Sequence, residues 1–461
     1  MASWNKRPDR KAGKRKEKPQ RQERSPAQRE AKRMDIRLRE RLLALGGRTN
    51  GCAVLIALIT VFFEAGGFAI GLSKPGTTAS AAAPLLCAAV TAAGLFFTVL
   101  APRRLPLDPL VMALTNFICG TGMVTLLTVS AARGEKQMLY YLLGLVFMTF
   151  MSLFVTRLRR YRAMSFAAIG LGIALLAMPL VLGEWVNGAK NWVSLPLIGS
   201  FQPSELVKLC LILVLARYFS AHRTVLQMMP ALFFAVACVL LLMLQRDLGT
   251  ALIYYLVTLI LFYAASGNLP LTVLGVGGGA AAAVLGYQMF AHVKVRVAMW
   301  KNPWSDPTGG GYQIIQALLA IGSGGLFGVG LGQGTPEKIP AYYNDFIFAV
   351  VCEQLGQVFG VLLILCYLAL ILRGTTLVTR ARRSFGMLLG CGVLASFGIQ
   401  TFMIAGGVIK LIPLTGVTMP FLSYGGSSML SCMGMIGILH GTDADSRRTL
   451  LTGAAQGGTD R

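Results

Sequence analysis

Apolar runs of about twenty residues recur along the chain after residue 50, and they constrain the fold more than any other feature. A helix of that length crosses the roughly 30 Å hydrocarbon core of a bilayer. Because backbone groups inside lipid must form hydrogen bonds within their own segment, each run is expected to be a helix. The 461 residues are 55% hydrophobic and only 13% charged, a composition that argues against a soluble domain. The sequence therefore predicts an all-α polytopic membrane protein.

Twelve apolar segments qualify as membrane spans, with ends that the pattern places to within a few residues. Residues 1–48 contain no apolar core of a signal peptide, so none is expected before the first span. The predicted spans are 53–73, 82–101, 109–130, 137–156, 164–183, 204–221, 226–245, 248–266, 270–291, 343–372, 385–409 and 423–441.

The formal net charge of +24 is unevenly distributed, and residues 1–48 alone hold 17 Lys/Arg against 6 Asp/Glu. This composition predicts a disordered cytosolic tail that helps to set the topology and touches anionic membrane lipid. Binding of nucleic acid is the alternative. It is disfavoured because no aromatic residues are interleaved with the charges and no known nucleic-acid module accompanies them.

Basic residues between the spans predict the orientation of the protein. Lys and Arg collect in cytosolic loops, and an even number of spans places both termini in the cytosol. A large loop around residues 292–342 then lies on the outer face. The cytosolic clusters are Arg103–Arg104, Arg157–Arg162, Arg217 with Arg223, and Arg373 with Arg380, Arg382 and Arg383.

Cysteine and histidine usage gives no sign of a metal site or a disulfide framework. The nine cysteines are scattered singly through apolar segments without a CxxC pair, and His222, His292 and His440 lie far apart. Most of the cysteines are therefore expected to be small packing residues.

The loop around residues 292–342 is too polar and too rich in Gly and Pro to cross a bilayer, so it is a functional candidate. One acid stands out in it, because Asp306 lies between Ser305 and Pro307. The Gly-rich run Gly322–Gly334 lacks the GK[ST] ending of a nucleotide-binding loop. We interpret that run as a flexible or re-entrant segment.

Polar residues also interrupt three apolar segments near the predicted outer face. The motif at Phe201–Lys208 places Glu205 and Lys208 three residues apart, hence on one face of a helix where they can pair. Ionisable groups in a span usually line a pathway, although a structural ion pair is the alternative. The other breaks lie at Gln245–Thr250 and at Pro420–Ser428, with Lys410 nearby. Together they predict a site that opens toward lipid and the outside.

These motifs together resemble the SEDS family (shape, elongation, division and sporulation). The resemblance covers residues 106–441 and implies a core of ten spans. It leaves 49–105 as an additional N-terminal pair, 1–48 as the basic tail and 442–461 as a cytosolic C-terminal tail. The matching blocks, in family order, are Asn187–Trp192, Phe201–Lys208, Gln245–Ala251, Arg296–Thr335, Asn344–Gly356 and Pro413–Ser428.

The resemblance implies a peptidoglycan glycosyltransferase that polymerises lipid II into glycan strands. In that reaction the 4-hydroxyl of one sugar displaces undecaprenyl pyrophosphate from the anomeric carbon of another, with inversion. A flippase or transporter of the lipid-linked precursor is the alternative, because twelve spans with buried charges also suit a carrier. An inactive scaffold for a partner synthase is a third. The sequence does not separate roles in division, elongation and sporulation.

The resemblance also assigns residues. Asp306 matches the essential loop aspartate of the family and is the general-base candidate. Arg296, Lys301 or Lys338 could neutralise the pyrophosphate, together with a divalent cation such as Mg²⁺ or Mn²⁺ whose site is unknown. Glu205 and Lys208 match the pair in the central cavity of the family. Further substrate-binding candidates in the matching blocks are Trp192, Gln202, Asp247, Gln313, Asp345, Tyr424, Ser427 and Ser428.

The chain has no transpeptidase motifs, so cross-linking would fall to another protein. The resemblance implies a class B penicillin-binding protein as that partner. We predict its docking surface on spans 343–372 and 385–409, with internal packing of the same glycines as the alternative. The glycines concerned are Gly386, Gly390, Gly392 and Gly398. Departures from the family pattern, which bear on substrate or partner contacts, occur at Asn191, Ala341, Asn344 and Gln354.

Overall fold

The structure is a computed structural model that describes residues 51–74, 79–157, 161–186, 188–195, 199–221, 224–381 and 383–458. The basic tail at 1–48 lies outside these ranges, as does Asn187 in the first motif. Disorder of the tail therefore stays a prediction.

Helices dominate the described residues, so the predicted helical membrane fold is confirmed. In chain order they are α1 (Gly51–Ser73), α2 (Ala83–Leu95), α3 (Pro109–Val129), α4 (Ala131–Arg157), α5 (Tyr161–Leu182), α6 (Pro203–Ala221), α7 (Val225–Leu244), α8 (Leu248–Ser266), α9 (Leu269–Met289), α10 (Ala291–Lys301), α11 (Tyr312–Gly324), α12 (Ile347–Leu355), α13 (Gln357–Val378), α14 (Ser384–Val408) and α15 (Gly426–Gly458). A π-helical turn and a 3₁₀ turn extend α2 to Arg103.

Ten of these helices are long and apolar enough to cross a membrane, against the twelve predicted spans. The two predicted spans that fall short are α6, which carries Glu205, Lys208 and Arg217, and α15, which includes His440 and Asp443. Both are enclosed by other helices, since α6 packs against α5, α7, α8, α14 and α15, and α15 packs against α4, α13 and α14. Neighbouring helices shield these polar residues from lipid.

The predicted span at 343–372 is wrong in its first half. Residues up to Phe346 are not helical, and the helix breaks at Gly356 between α12 and α13. Gly356 has a φ of +89°, and a Cβ there would overlap the carbonyl oxygen of Leu326. The break therefore comes from close packing against a segment thirty residues earlier.

That segment is the Gly-rich run, which is ordered by backbone hydrogen bonds. The amides of Val329 and Gly330 donate to the carbonyls of Glu353 and Gln354 at 2.9 and 3.0 Å. A Cβ on Gly328 would overlap the Gln354 carbonyl oxygen. Glycine is needed here for close backbone approach rather than for mobility. The backbone bonds hold the central residues of the run against α12, and the interpretation as a flexible or re-entrant segment stays a prediction.

A three-stranded antiparallel sheet between α5 and α6 was not predicted. Its strands β1 (Glu184–Val186), β2 (Ala189–Leu195) and β3 (Gly199–Phe201) follow the order β1-β2-β3. Trp192 pairs with Glu184, and Val193 pairs with Phe201. The amide of Lys190 donates to the Gln245 carbonyl at 2.9 Å, so the sheet is fixed to the turn between α7 and α8.

The predicted docking glycines face the protein's own side chains. A Cβ on Gly390 would overlap Val378 of α13, and one on Gly392 would lie 2.7 Å from Ile212 of α6. Gly386 and Gly398 lie closest to Ala381 and Ile371, respectively. Gly390 and Gly392 therefore support the internal-packing alternative, whereas Gly386 and Gly398 have only ordinary van der Waals neighbours. The docking surface on spans 343–372 and 385–409 stays a prediction.

Helices α1 and α2 pack on the body of the protein. Gly67 and Gly71 of α1 lie against Val124 and Leu127 of α3. The ring of Phe63 stacks on that of Phe359 in α13, with 5.8 Å between centroids. These contacts integrate the pair into the bundle, and its status as an addition to the family core stays a prediction.

Candidate active site

Asp306 is held by its own loop and faces outward. It follows the 3₁₀ turn Pro303–Ser305, and its carboxylate oxygens accept hydrogen bonds from the amides of Gly309 at 3.1 Å and Gly310 at 2.7 Å. A Cβ on Gly309 would overlap the carboxylate, so the glycines let the loop wrap around the acid. The side chain is exposed, and among the described residues its hydrogen bonds stay within this loop. This arrangement gives an oriented, accessible carboxylate, as a general base requires.

Helix α10 carries this loop and is tied to the turn after α14. Trp300 Nε1 donates to the Lys410 carbonyl at 3.1 Å, and Arg296 Nη1 donates to the Thr415 carbonyl at 3.1 Å. Gly310 packs beside Met299 of the same helix. The structure thus joins the long loop to the third polar break, which lies more than 100 residues away in sequence.

Arg296, Asp345 and Asp247 form a charged cluster beside that turn. Gly416 lies between two of them, since a Cβ on it would be 3.5 Å from Arg296 Nη2 and 3.6 Å from Asp345 Oδ2. The pKa of Asp345 is raised to about 6, chiefly by burial, with Arg296 opposing the shift and Asp247 adding to it. Asp345 can therefore exchange a proton close to neutral pH.

Asp247 links three elements. Its Oδ2 accepts from Asn191 Nδ2 at 2.8 Å and from Gln202 Nε2 at 3.0 Å, while Oδ1 caps α8 through the amide of Thr250 at 3.1 Å. The carboxylate thereby connects the sheet, the start of α6 and the start of α8. All of its carboxylate hydrogen bonds are internal, which favours a positioning role over direct substrate contact.

Glu205 and Lys208 form the predicted ion pair, with 3.0 Å between Lys208 Nζ and Glu205 Oε2. Their side chains are only 6% and 1% exposed. Lys208 also donates to Gln400 Oε1 of α14 at 3.0 Å, and Ser431 Oγ of α15 donates to the Glu205 carbonyl at 2.7 Å. The two residues therefore connect α6 to α14 and α15 at the centre of the bundle. These contacts agree with the alternative in which Glu205 and Lys208 form a structural ion pair.

The remaining predicted site residues divide by exposure. Lys301, Gln313 and Lys338 are exposed, whereas Trp192 and Tyr424 are half-buried. Ser427 and Ser428 are buried, and Ser428 Oγ lies 2.8 Å from Thr418 Oγ1. Their roles in substrate binding stay predictions.

The sequence missed two features near the site. Glu353 Oε1 accepts from the amide of Thr335 at 3.0 Å and so fixes the end of the Gly-rich run. Arg133 lies against Tyr342 and Tyr343, far from it in sequence. The sequence pointed to these two features only through departures from the family pattern, at Gln354 beside Glu353 and at Ala341 beside Tyr342.

The expected divalent cation has no preformed protein site in the part of the chain that the structure describes. No group of three or more His, Cys, Asp and Glu side chains is placed to hold a metal ion there. The divalent cation stays a prediction.

A bundle of long apolar helices, with a buried ion pair at its centre and an exposed loop that carries Asp306, defines the chain as a polytopic integral membrane protein. The chain belongs to the FtsW/RodA/SpoVE family of cell cycle proteins, whose model matches residues 110–448. The resemblance to the SEDS family is thereby confirmed.

Two named relatives show the extent of the similarity. The chain is 33% identical over 374 residues to the peptidoglycan glycosyltransferase RodA of Mycobacterium tuberculosis, covering 75% of this chain and 80% of that protein. It is 35% identical over 289 residues to the stage V sporulation protein E of Bacillus subtilis, covering 59% and 77%.

Solved structures agree with this assignment. A chain from a peptidoglycan synthase complex that coordinates polymerization and crosslinking matches with a TM-score of 0.61 and 27% identity, covering 73% of this chain and 97% of that one. The rod shape determining protein RodA of Thermus thermophilus matches with a TM-score of 0.53 and 27% identity, covering 75% and 99%. Family membership makes the chain an integral protein of the cytoplasmic membrane.

Proposed function

We propose that this protein is a peptidoglycan glycosyltransferase that polymerises lipid II into glycan strands at the outer face of the cytoplasmic membrane. The observation that carries the proposal is the Asp306 carboxylate, exposed on its loop and oriented by two backbone amides. The named activity of the RodA and FtsW relatives supports it. The process served is cell shape, division or sporulation.

Asp306 acts as the general base in a single displacement. The carboxylate removes the proton from the 4-hydroxyl of the acceptor GlcNAc as the hydroxyl oxygen bonds to the anomeric carbon of the donor. The bond from that carbon to undecaprenyl pyrophosphate breaks, and the electron pair leaves with the phosphate oxygen. One displacement inverts the anomeric carbon. Because positive charge stabilises the departing pyrophosphate, the reaction needs one carboxylate as base and no second one as general acid.

The leaving pyrophosphate needs positive charge nearby. Arg296 donates to the Thr415 carbonyl and lies beside Asp345, so its guanidinium is already engaged within the protein. Lys301 and Lys338 are exposed, and no ion pair among the described residues involves either. We therefore assign pyrophosphate stabilisation first to these two lysines.

The proposal includes an orientation and a partner. With both termini in the cytosol, the loop of Asp306 lies outside, where lipid II presents its sugars. Cross-linking belongs to a class B penicillin-binding protein. The similar chain from a synthase complex that coordinates polymerization and crosslinking supports such a partner.

The test uses the purified full-length protein and fluorescently labelled lipid II, with and without a co-expressed class B penicillin-binding protein. We expect glycan strands that a gel resolves by length. Absence of polymer under both conditions, together with movement of lipid II across proteoliposome membranes, would contradict the proposal and support the transporter alternative.

A further inference from the structure

Arg133 stands at the start of α4 and lies over two tyrosine rings. Its guanidinium carbon is 4.1 Å from the ring centroid of Tyr343 and 5.6 Å from that of Tyr342. Arg133 Nη1 also donates to the Tyr342 hydroxyl at 2.8 Å. Tyr140 and Tyr424 complete what we call the tyrosine cluster, which consists of Arg133, Tyr140, Tyr342, Tyr343 and Tyr424.

Three distant segments build this cluster. The rings of Tyr343 and Tyr424 meet edge to face at 6.0 Å, and the amide of Tyr424 donates to the Tyr343 carbonyl at 2.9 Å. The ring of Tyr140 lies 6.3 Å from that of Tyr424. Gln137 fixes the turn below, since its side chain bonds to the backbone of Ser423 at 3.0 Å and of Gly425 at 3.1 Å. The rings are therefore held in fixed relative positions.

The backbone beside the cluster is strained. Ala341, which precedes Tyr342, has a φ of +55°, a left-handed conformation that is unfavourable for a residue other than glycine. The amide of Asn344 donates to the Ala341 carbonyl at 3.0 Å and closes the turn that directs both tyrosines toward Arg133. Strain of this kind is found preferentially at functional sites.

The cluster carries one positive charge, on Arg133, whose guanidinium has N–H donors that the cluster does not use. Within the described residues no carboxylate lies within ion-pair distance of Arg133. Glu135 accepts instead from the amide of Ser80 at 2.8 Å, and Glu337 is the acid that acts on Tyr342. A guanidinium has five N–H donors, of which Arg133 gives one to Tyr342. All five side chains of the cluster are partly exposed.

The tyrosines stay neutral around this charge. Burial raises the pKa of Tyr342, and it raises the pKa of Tyr424 to about 12. At physiological pH both hydroxyls are therefore protonated and can donate as well as accept hydrogen bonds. A neutral, aromatic surface beside a single cation suits a ligand that has both a flat apolar face and an anionic group.

We propose that the tyrosine cluster binds a sugar that bears a phosphate or carboxylate group. The C–H face of the sugar lies on one partly exposed tyrosine ring of the cluster, and the free edge of the Arg133 guanidinium pairs with the anion. The inference rests on the proposed function, because it makes the cluster a holding site for a lipid-linked saccharide. An anionic phospholipid headgroup shares part of this chemistry and is separated by the experiment.

The experiment measures initial rates of polymerisation against lipid II concentration for purified wild type and Arg133→Gln. We expect KM to rise roughly tenfold, equivalent to about 1.4 kcal/mol, with kcat within about threefold of wild type. Arg133→Lys should recover part of the loss. Lys136→Gln, which removes a charge from the next turn of α4, should match wild type. An unchanged KM in a folded Arg133→Gln protein would contradict the proposal.

Two further arms keep the outcome decisive. Rates are measured in phosphatidylcholine vesicles and in vesicles with added phosphatidylglycerol, and an effect of Arg133→Gln confined to the anionic vesicles would overturn the saccharide assignment. Binding of labelled lipid II to both proteins is measured in parallel without turnover. If the wild-type protein does not polymerise lipid II, the proposed function fails. In that case weaker binding of lipid II to Arg133→Gln than to wild type still supports the site. Equal binding of lipid II to the two proteins overturns it.

Discussion

The loop of Asp306 and the Glu205–Lys208 pair each carry a carboxylate. The two carboxylates differ in exposure and in hydrogen-bond partners. Asp306 is exposed, and within the described part of the chain its carboxylate bonds to amides three and four residues ahead. Glu205 and Lys208 are buried and bond to residues from α14 and α15. The exposed acid can change its hydrogen-bond partner without disturbing the bundle. The buried pair cannot do so without leaving an uncompensated charge.

The difference predicts that the two regions fail in different ways. Changes at the Asp306 loop should lower the reaction rate and leave folding intact. Changes at the buried pair should first lower stability. Each experiment below either separates the two regions further or shows that they do not differ.

The largest effect is expected at the buried pair. Lys208→Met strands the Glu205 carboxylate inside the bundle, and the loss of one partner of a buried pair typically costs about 3–5 kcal/mol. The double variant Glu205→Gln, Lys208→Met leaves no charge behind and should be more stable than either single variant. Thermal melting of the purified proteins measures the difference. Strictly additive losses would mean that the two residues do not act as a pair.

A smaller effect, on rate alone, is expected in the exposed loop. A methyl group at Gly309 would overlap the Asp306 carboxylate, so Gly309→Ala should displace the acid. A displacement of about 1 Å can cost ~10²-fold in rate. Gly310→Ala is the matched control, because its new methyl group meets the flexible side chain of Met299. Equal polymerisation rates in the two variants would show that the carboxylate position is not critical.

The Gly-rich run allows a test of the ordered segment behind the site. Gly328→Ala places a methyl group against the Gln354 carbonyl at a φ of +82° and should cost about 1–3 kcal/mol. Gly322→Ala, where nothing lies within 4 Å of the new methyl group, should be neutral or slightly stabilising. Melting temperatures of both variants are compared with wild type. A Gly328→Ala variant with the melting temperature of wild type would favour the interpretation of the run as flexible.

The smallest effect is a pH dependence at Asp345. Its pKa of about 6 in the folded protein exceeds that of an unfolded Asp, so the folded state binds more protons between roughly pH 4 and 6. This contribution to stability is complete below that window and is lost as the pH rises through it. Asp345→Asn should therefore show a smaller fall in melting temperature from pH 4 to 6.5 than wild type does. Parallel curves for the two proteins would contradict the raised pKa.

Local patterns predicted the features that depend on neighbours in sequence. The spacing of Glu205 and Lys208 predicted their ion pair, and the composition of the long loop singled out Asp306. Apolar run length predicted most of the helices. Each of these features depends on residues that are close together in the sequence, so a short stretch of sequence is enough to predict it.

Features set by long-range contacts could not be predicted. The break at Gly356 lies inside a stretch that the sequence predicted as one continuous span, and its cause is the backbone at Leu326. The bond from Trp300 to the Lys410 carbonyl, which anchors the helix behind Asp306, joins residues 110 positions apart. The short strands around Trp192 carry no alternating pattern, and a backbone hydrogen bond from Lys190 joins them to the turn at Gln245, 55 positions later.

The most direct test of the difference between the two regions is Asp306→Asn, assayed for lipid II polymerisation per folded molecule. Asparagine keeps one oxygen to accept a backbone N–H and so preserves the loop, but its amide cannot remove the proton from the sugar hydroxyl. We expect the rate to fall ~10²–10⁴-fold while the melting temperature matches wild type. Polymer of normal yield and length from Asp306→Asn, or a loss of rate that merely follows a loss of folded protein, would contradict the assignment of the chemistry to this loop.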